Sequence, residues 1–520
     1  MSTNWIIVLT SVLASLLEII DSSIVNVAIP HMQGNLGVTI EEVTWVATGY
    51  IISNAVVLPI ASWLGDRIGR KVYFTSCILF FTLASLLCAV APNFIFLVIA
   101  RVLQGIAGGA LLPTSQAIIQ EQFPGERAGI GSAIYGMSVM VGPAVGPTLG
   151  GYLTDHFNWR AIFYINLPIG IIATVLSYLF IEDTSTEKQK NKMDVLGFCL
   201  LIAGIGALQF MLERGQQDDW FNSGLILGAA VVSVIALPVF FAWEYRHKFP
   251  IVDVRLFKQS PVINGCGLMA LTGVVLYALI FLIPIYTDNA MGMDATHTGL
   301  LYVPGALVTM LTMGIVGKFM PVVGAKPLIL IGIVAIAISL KQLANFTPQT
   351  GTSDILEAFY YRGVGLGCIF VPINAAVLSQ YQGQTLGQVS GLLNLSRQIG
   401  GSIGIATIST YLDRFSAQFR NDLRSHLTSV SSETMRAVSE STSQLTGQLS
   451  SQVGMNSASF GLKPNTGGAV KEMMGQMERQ IFQLSFNRLM IIILGAYLLS
   501  FFPLWRLKLT KKITPVGAME

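Results

Sequence analysis

The chain has 520 residues, 52% of them hydrophobic and only 11% charged, with a mean hydropathy of +0.63. Soluble domains carry about 25% charged residues, so a soluble globular protein is excluded and the chain reads as a polytopic membrane protein. The formal net charge of +3 decides little, because the distribution of charge sets topology.

The first apolar run is uncharged from Asn4 to Leu17; Glu18 and Asp21 then stand three residues apart, and apolar sequence resumes up to Pro30. That spacing puts both acids on one helical face, and the run is long enough to cross a bilayer. A carboxylate there is expensive and belongs in a bundle interior or a water-filled cavity. Burial favours the neutral form of such a group and a nearby cation favours the ionised form. A carboxylate held between the two effects can load and unload a proton. The alternative is an acid that only fixes helix packing. No Lys or Arg precedes the run and two acids interrupt it, so it does not read as a cleaved signal peptide.

Fourteen spans can be counted, at about 5–29, 44–63, 72–91, 94–117, 129–153, 160–181, 195–213, 223–243, 261–287, 297–320, 326–344, 353–378, 388–411 and 486–505. An even count puts both termini on one side. Loops after even-numbered spans carry Arg67, Arg70, Lys71, Arg127, Lys188, Arg246, Lys248, Arg255, Lys258 and Lys318, and the tail adds Arg506, Lys508, Lys511 and Lys512. The opposite loops carry Glu41, Glu42, Asp155, Asp218, Asp219, Asp288 and Asp294. Positive charge stays inside, so both termini are expected in the cytoplasm. Cys77, Cys88, Cys199, Cys266 and Cys368 all lie in apolar spans and read as small core residues without disulfides.

Residues 412–485 break the pattern of short loops. They are rich in Ser, Gln and Met and suggest two helical pieces, about 412–452 and 467–485, around the Gly/Pro/Asn stretch Gly461–Gly468. We expect a helical hairpin used as a docking surface; a disordered loop is the alternative. A long translocated segment ignores the charge rule, so its basic residues leave the topology intact.

Four motifs carry chemistry. The loop Ser62-Trp-Leu-Gly-Asp66-Arg67-Ile-Gly69-Arg70-Lys71 joins a turn-forming glycine, an acid that can cap or pair, and cations that hold it inside. Arg101 stands one apolar turn into the fourth span, followed by Gln104 and Gly105. An arginine there needs a partner, and a carboxylate is the best one; Asp21 is the candidate. In the fifth span Gly142, Gly146 and Gly150 lie four apart and make a flat stripe for close helix packing. Pro143 and Pro147 remove backbone donors and bend that helix. Finally, Arg101-Val-Leu-Gln-Gly105 in span four is echoed by Arg362-Gly363, Gly365 and Gly367 in span twelve, as expected of a duplicated bundle with its substrate site between the halves.

With these motifs the sequence resembles the major facilitator superfamily, in particular its 14-span drug–proton antiporters of the EmrB type. The 62–71 loop is similar to that superfamily's loop motif, with Ser62 in place of the leading glycine. Arg101-x-x-Gln104-Gly105 resembles its proton-coupling motif, and Gly142-Pro143-x-x-Gly146-Pro147-x-x-Gly150-Gly151 its antiporter motif. Asp21 through Pro30, Trp159-Arg160 with Phe163 to Gly170, Asp194-x-x-Gly197 and Pro250 to Asp253 match the 14-span group. The resemblance implies an all-α major facilitator fold: a six-helix bundle at 1–181, two inserted helices at 182–258, and a second six-helix bundle at 259–520. It implies alternating access across the bacterial inner membrane and export of hydrophobic or amphipathic drugs in exchange for protons. It also implies an EmrA-like periplasmic adaptor and a TolC-like outer-membrane channel, met through 412–485. Asp21 and Arg101 would then couple protons, with Glu18 added from burial alone. Asp66, Arg67, Gly69, Arg70 and the glycine–proline stripe would gate. Asn26, Gln104, Arg362, Asn394 and Arg397 would line the substrate cavity, a packing or interfacial role for Arg397 being equally open.

No nucleotide or metal chemistry is visible. Gly317-Lys318 precedes Phe319 and is no phosphate loop, and His31, His156, His247, His297 and His426 are scattered without ligand spacing. No cofactor is expected beyond the proton gradient, no nucleic-acid partner is implied, and no catalytic constellation supports a membrane enzyme. A dedicated exporter of one metabolite, such as a siderophore or fatty acid, and an uptake symporter remain as rivals; the glycine–proline stripe speaks against the symporter.

Overall fold

The computed structural model describes residues 4–182, 194–293, 295–347, 350–453 and 466–507. All regular structure among them is helical. In chain order the main helices are α1 (Trp5–Leu36), the bent pair α2 (Glu41–Val57 with Ala61–Ile68), α3 (Arg70–Ala89), α4 (Phe94–Gln122), α5 (Gly125–His156), α6 (Ala161–Phe180), α7 (Val195–Arg214), α8 (Gly224–Arg246), α9 (Ser260–Asn289), α10 (His297–Val323), α11 (Ala325–Ala344), α12 (Thr352–Leu378), α13 (Gly383–Val453) and α14 (Thr466–Leu498).

Length and apolarity alone single out twelve spans among the described residues, or thirteen with the bent pair. The fourteenth is the first part of α13. Its Ser390, Asn394, Arg397 and Gln398 dilute the apolar signal, but Val389, Leu393 and Asn394 are buried in the same bundle as the other helices. The 61° bend of α2 falls at Leu58-Pro59-Ile60, where proline cannot continue the hydrogen-bond ladder.

Two six-helix groups emerge from the packing. α1 lies against α4, α5 and α6, and α3 against α4 and α6. α9 lies against α13 and α14, and α12 against α10 and α11. The groups meet along α5 with α10 and along α2 with α13. The inserted pair α7 and α8 pack on each other, and α7 bridges α2 and α13. Its Gln209 donates to Ser402 at 3.2 Å, and Trp220 beyond it donates to Thr410 at 2.9 Å.

The helical pieces expected inside 412–485 are present, with one correction: they are not separate from the spans. The first continues span thirteen without a break to Val453, and the second runs into the last span from Thr466. No Gly or Pro stands between Ile405 and Thr446 to stop a helix. At 71 residues α13 is roughly 105 Å long, over three times the thickness of a bilayer core. Its base is tied to α14, with Ser416 Oγ 3.4 Å from Ser485 Oγ and the Arg488 guanidinium over the Phe415 ring. The turn expected at Gly461–Gly468 lies mostly outside the described residues.

Candidate functional site

Asp21 sits halfway along α1 with no exposed surface. Its carboxylate is fully engaged. Arg101 Nη1 donates to Oδ2 at 2.6 Å, and Oδ1 accepts from Gln104 Nε2 at 2.9 Å and from Asn166 Nδ2 at 2.8 Å. The same Arg101 nitrogen reaches Gln104 Oε1 at 2.7 Å, and Nε donates to the Val46 carbonyl at 3.0 Å. The guanidinium also lies 4.2 Å from the Tyr50 ring centre. Four helices, α1, α2, α4 and α6, thus converge on one buried ion pair. Such a pair holds only when geometry and extra hydrogen bonds offset desolvation, and here Arg101, Gln104 and Asn166 all donate to the carboxylate. Gln104, expected on a cavity wall, is instead fully buried and belongs to this centre.

The glycine stripe of α5 closes on the turn of α1 that carries the acid. A methyl group at Gly142 would stand 2.7 Å from the Ile19 carbonyl oxygen, one at Gly146 2.8 Å from Ser23 Cβ, and one at Gly150 2.9 Å from Ile24 Cγ1. Ser23 Oγ donates across the gap to the Gly142 carbonyl at 3.0 Å. α5 runs through Pro143 and Pro147 as one helix. The sequence reading placed a close neighbour on this stripe; the structure identifies it as the helix bearing Asp21.

Glu18 lies one turn earlier on α1 and is 4% exposed. It does not share Asp21's partners. Asn54 Nδ2 donates to Oε1 at 2.8 Å and the Leu112 amide to Oε2 at 3.1 Å. Close by, the two halves are stitched together. Gln116 of α4 donates to Asn374 of α12 at 2.6 Å, and its Oε1 accepts from Ser390 at 2.7 Å and Asn394 at 2.6 Å, both on α13. Tyr135 of α5 donates to Asn394 Oδ1 at 2.9 Å, and Arg397 reaches the same oxygen at 3.3 Å. Asn394 and Arg397, expected in the cavity wall, are buried in this seam.

The seam lies toward the end of the bundle that bears the 62–71 loop. There Gly69 takes φ 105°, a conformation that favours glycine. Arg70 Nη1 contacts both Glu121 oxygens at 2.7 Å, joining α3 to the end of α4. Asp66 and Arg67 line a cleft with Trp63, Asp253, Gln384 and Gln388. Ser62, the departure from the loop motif, donates to the Gln384 carbonyl at 3.2 Å and packs on Gly387 of α13. A small residue on α13 thus makes room for the side chain that the motif's glycine lacks. Toward the other end Asn26 is exposed, in a stripe with the partly exposed Ser22 and exposed Pro30. Ser22 and Asn26 are the polar members of that stripe, and a polar side chain in a membrane span is least costly where it meets water. Arg362 is buried with no ion pair among the described residues.

Sequence reasoning missed Asn54, Gln116, Tyr135 and Asn374. Each is an uncharged polar residue inside an apolar helix, and that was the only signal available. Asn166 stood within a quoted motif without a role.

The seam yields a test. Replacing Gln116 by Leu removes three hydrogen bonds at once and leaves the buried Asn374 Oδ1 without its donor. With each bond contributing about 1 kcal/mol, the closed arrangement should lose most of its advantage. A Ser62→Cys/Gln384→Cys pair reports on it: crosslinking yield should fall several-fold when Gln116→Leu is added, and an unchanged yield would show that the seam does not hold the halves.

A family model described as Major Facilitator Superfamily matches residues 11–405. The fatty acid resistance protein FarB of Neisseria gonorrhoeae is 32% identical over 420 residues, 81% of this chain and 83% of that one. The multidrug export protein EmrB of Escherichia coli K12 is 33% identical over 399 residues, 76% and 78% of the two chains. Among solved structures, the human organic anion transporter TETRAN superposes with a TM-score of 0.61 at 12% identity, covering 96% of this chain and 99% of that one. A bacterial homolog of the lysosomal transporter Spinster gives 0.53 at 16% identity, covering 97% and 98%; at such identities these two speak for the fold alone. By its sequence match and its paired six-helix bundles, the chain belongs to the major facilitator superfamily.

Proposed function

We propose that this protein is a drug efflux pump: a proton-coupled antiporter that exports hydrophobic or amphipathic compounds by alternating access. The observation that carries the reading is the buried Asp21–Arg101 pair, fixed by Gln104 and Asn166 and pressed by the α5 stripe. Protonating Asp21 removes the charge that holds Arg101 and frees α1 to shift against α5. That links proton arrival to the movement of the gating helix. The seam at Gln116 and the exposed stripe at Asn26 fit a state closed toward the basic loops and open at the other end. Each proton crossing 100 mV supplies about 2.3 kcal/mol, enough for roughly a fortyfold substrate gradient. The names of the relatives point the same way, EmrB to multidrug export and FarB to fatty acids. FarB favours one second reading, a dedicated fatty acid exporter using the same machinery. The test is accumulation of a fluorescent amphiphile in vesicles carrying the purified chain. A pH gradient should drive it and an uncoupler should collapse it; accumulation indifferent to the uncoupler would refute proton coupling.

We place the protein in a bacterial inner membrane with both termini cytoplasmic, from the loop charges. The helices that extend from spans thirteen and fourteen, within 412–485, then reach into the periplasm, and we assign them to an adaptor that leads on to an outer-membrane channel. Moving substrate across one membrane needs no such element. Deleting about 420–480 and joining the ends with a flexible linker should leave vesicle transport within about twofold. It should also remove most resistance in cells with an outer membrane. Full resistance in such cells would show that the segment docks nothing.

A further inference from the structure

The two halves repeat one device, a buried arginine against two aromatic rings, but the carboxylate that answers the arginine is present in the first half alone. On α4 the Arg101 guanidinium lies 4.2 Å from the Tyr50 ring centre and 5.8 Å from that of Phe163. On α12 the Arg362 guanidinium lies 4.4 Å from the Phe359 ring centre and 5.4 Å from that of Tyr302. Tyr50 and Tyr302 each come from the second helix of their half. Both arginines are buried, at 1% and 7% exposure. In the first half, α1 supplies Asp21 to its arginine. In the second half the corresponding first helix is α9. It reaches this place, since the Tyr302 hydroxyl donates to the Leu279 carbonyl at 3.3 Å. Yet α9 carries no Asp or Glu before Asp288. Arg362 has no salt bridge among the described residues, and its buried Nη1 has no hydrogen-bond partner.

An uncompensated arginine inside a membrane bundle is expensive. Two aromatic faces offset only part of that. What the site lacks is an anion. We propose that Arg362 recognises the anionic head group of an amphipathic substrate: a carboxylate, sulfonate or phosphate ester on an apolar tail. A guanidinium fork matches such heads with paired hydrogen bonds, and the rings of Phe359 and Tyr302 offer apolar walls to the first carbons of the tail. The position lies on the open side of this state, where an exported molecule is held before release. Arg362 stands twelve residues from Asn374 on α12, roughly 18 Å from the seam along the helix, toward the end where Asn26 is exposed. This inference rests on the export reading and adds to it a charge preference. An anion bound at Arg362 supplies in the second half the charge that Asp21 supplies in the first.

The test is equilibrium binding to the full chain in nanodiscs of phosphatidylcholine, with protein-free discs subtracted. The probes are dodecanoate and dodecyltrimethylammonium, equal in tail and opposite in charge. Arg362→Gln should weaken dodecanoate binding about tenfold to a hundredfold, as expected for a charged hydrogen-bond partner, and leave the cation unchanged. Arg362→Lys should recover only part of the loss, because an ammonium keeps the charge and loses the paired hydrogen bonds. In the unmodified chain dodecyl sulfate should displace dodecanoate and dodecyltrimethylammonium should not, a result that needs no variant. Adding phosphatidylglycerol to the discs separates the sources of the head group. Competition that vanishes in Arg362→Gln makes an anionic lipid an occupant as well; its absence restricts the site to free amphiphiles. Equal dodecanoate binding in the unmodified chain and Arg362→Gln, or equal displacement by both dodecyl compounds, would overturn the proposal. No gradient enters this experiment, so a failure of proton-driven accumulation would strike the export reading and leave the binding result standing.

Discussion

Asp21→Asn should abolish proton-driven transport, by at least a hundredfold in initial rate, while the protein still inserts and folds. Asparagine matches aspartate in size, and its amide oxygen can still accept from Gln104 or Asn166. What it cannot do is carry the charge or the exchangeable proton. The substitution also leaves the Arg101 guanidinium buried beside a neutral group, and breaking a buried pair from one side destabilises by about 3–5 kcal/mol. A loss of stability could therefore imitate a loss of mechanism. The double variant Asp21→Asn/Arg101→Gln separates the two, because it removes both charges. Its thermal stability should return toward that of the unmodified chain, and its transport should not. Arg101→Ala alone should also uncouple transport, since nothing then answers the state of the carboxylate. The measurement is gradient-driven efflux from reconstituted vesicles, with downhill substrate exchange as a control that needs no proton. Full driven efflux in Asp21→Asn would remove Asp21 from the mechanism.

The sequence made this centre legible because charges are rare in apolar helices. Asp21, Glu18 and Arg101 stood out singly, and burial cost alone argued that an arginine and an acid should meet. The glycine stripe was legible for a similar reason, since three glycines in helical register leave a face that only another helix can cover. What remained hidden was which helix. The contact between Gly146 and Ser23 spans more than a hundred residues, and no local pattern encodes it. The seam was hidden more deeply. Gln116 meets Asn374 and Asn394 across 258 and 278 positions, and lone amides in a membrane span can serve many partners. Gln104 stood both in the motif with Arg101 and among the cavity candidates, and only its contact with Asp21, more than eighty positions away, shows it as a clamp here. Span thirteen shows the reverse problem. The residues that build the seam make α13 too polar to pass on composition, and its continuation beyond the span is signalled only by the absence of Gly and Pro up to Thr446.

Gly146→Leu should leave the carrier expressed and uncoupled. The first atom of any side chain at 146 falls 2.8 Å from Ser23 Cβ, closer than carbon atoms approach. Leucine adds three more carbons to that gap. Overpacking a filled interface costs typically 1–3 kcal/mol through shifted backbones, and here the yielding parts are α1 and α5 themselves. Ser23 is two residues from Asp21, so a displaced α1 carries the carboxylate away from Arg101 and Gln104. At 2.6–2.9 Å those bonds have little slack. The expected result is a drop in driven transport of tenfold or more together with a raised proton leak through vesicles carrying the variant. The neighbouring stripe positions grade the effect. Gly150→Ala should act more weakly, because a methyl group is smaller than a leucine side chain and meets Ile24 Cγ1 at 2.9 Å and the Ile24 carbonyl oxygen at 3.0 Å. Gly151→Ala should be silent, since a methyl group there meets only Val27 at 4.0 Å. Proton flux and substrate flux measured on the three variants decide the matter: if Gly146→Leu couples as tightly as Gly151→Ala, the stripe is a packing surface without a part in gating.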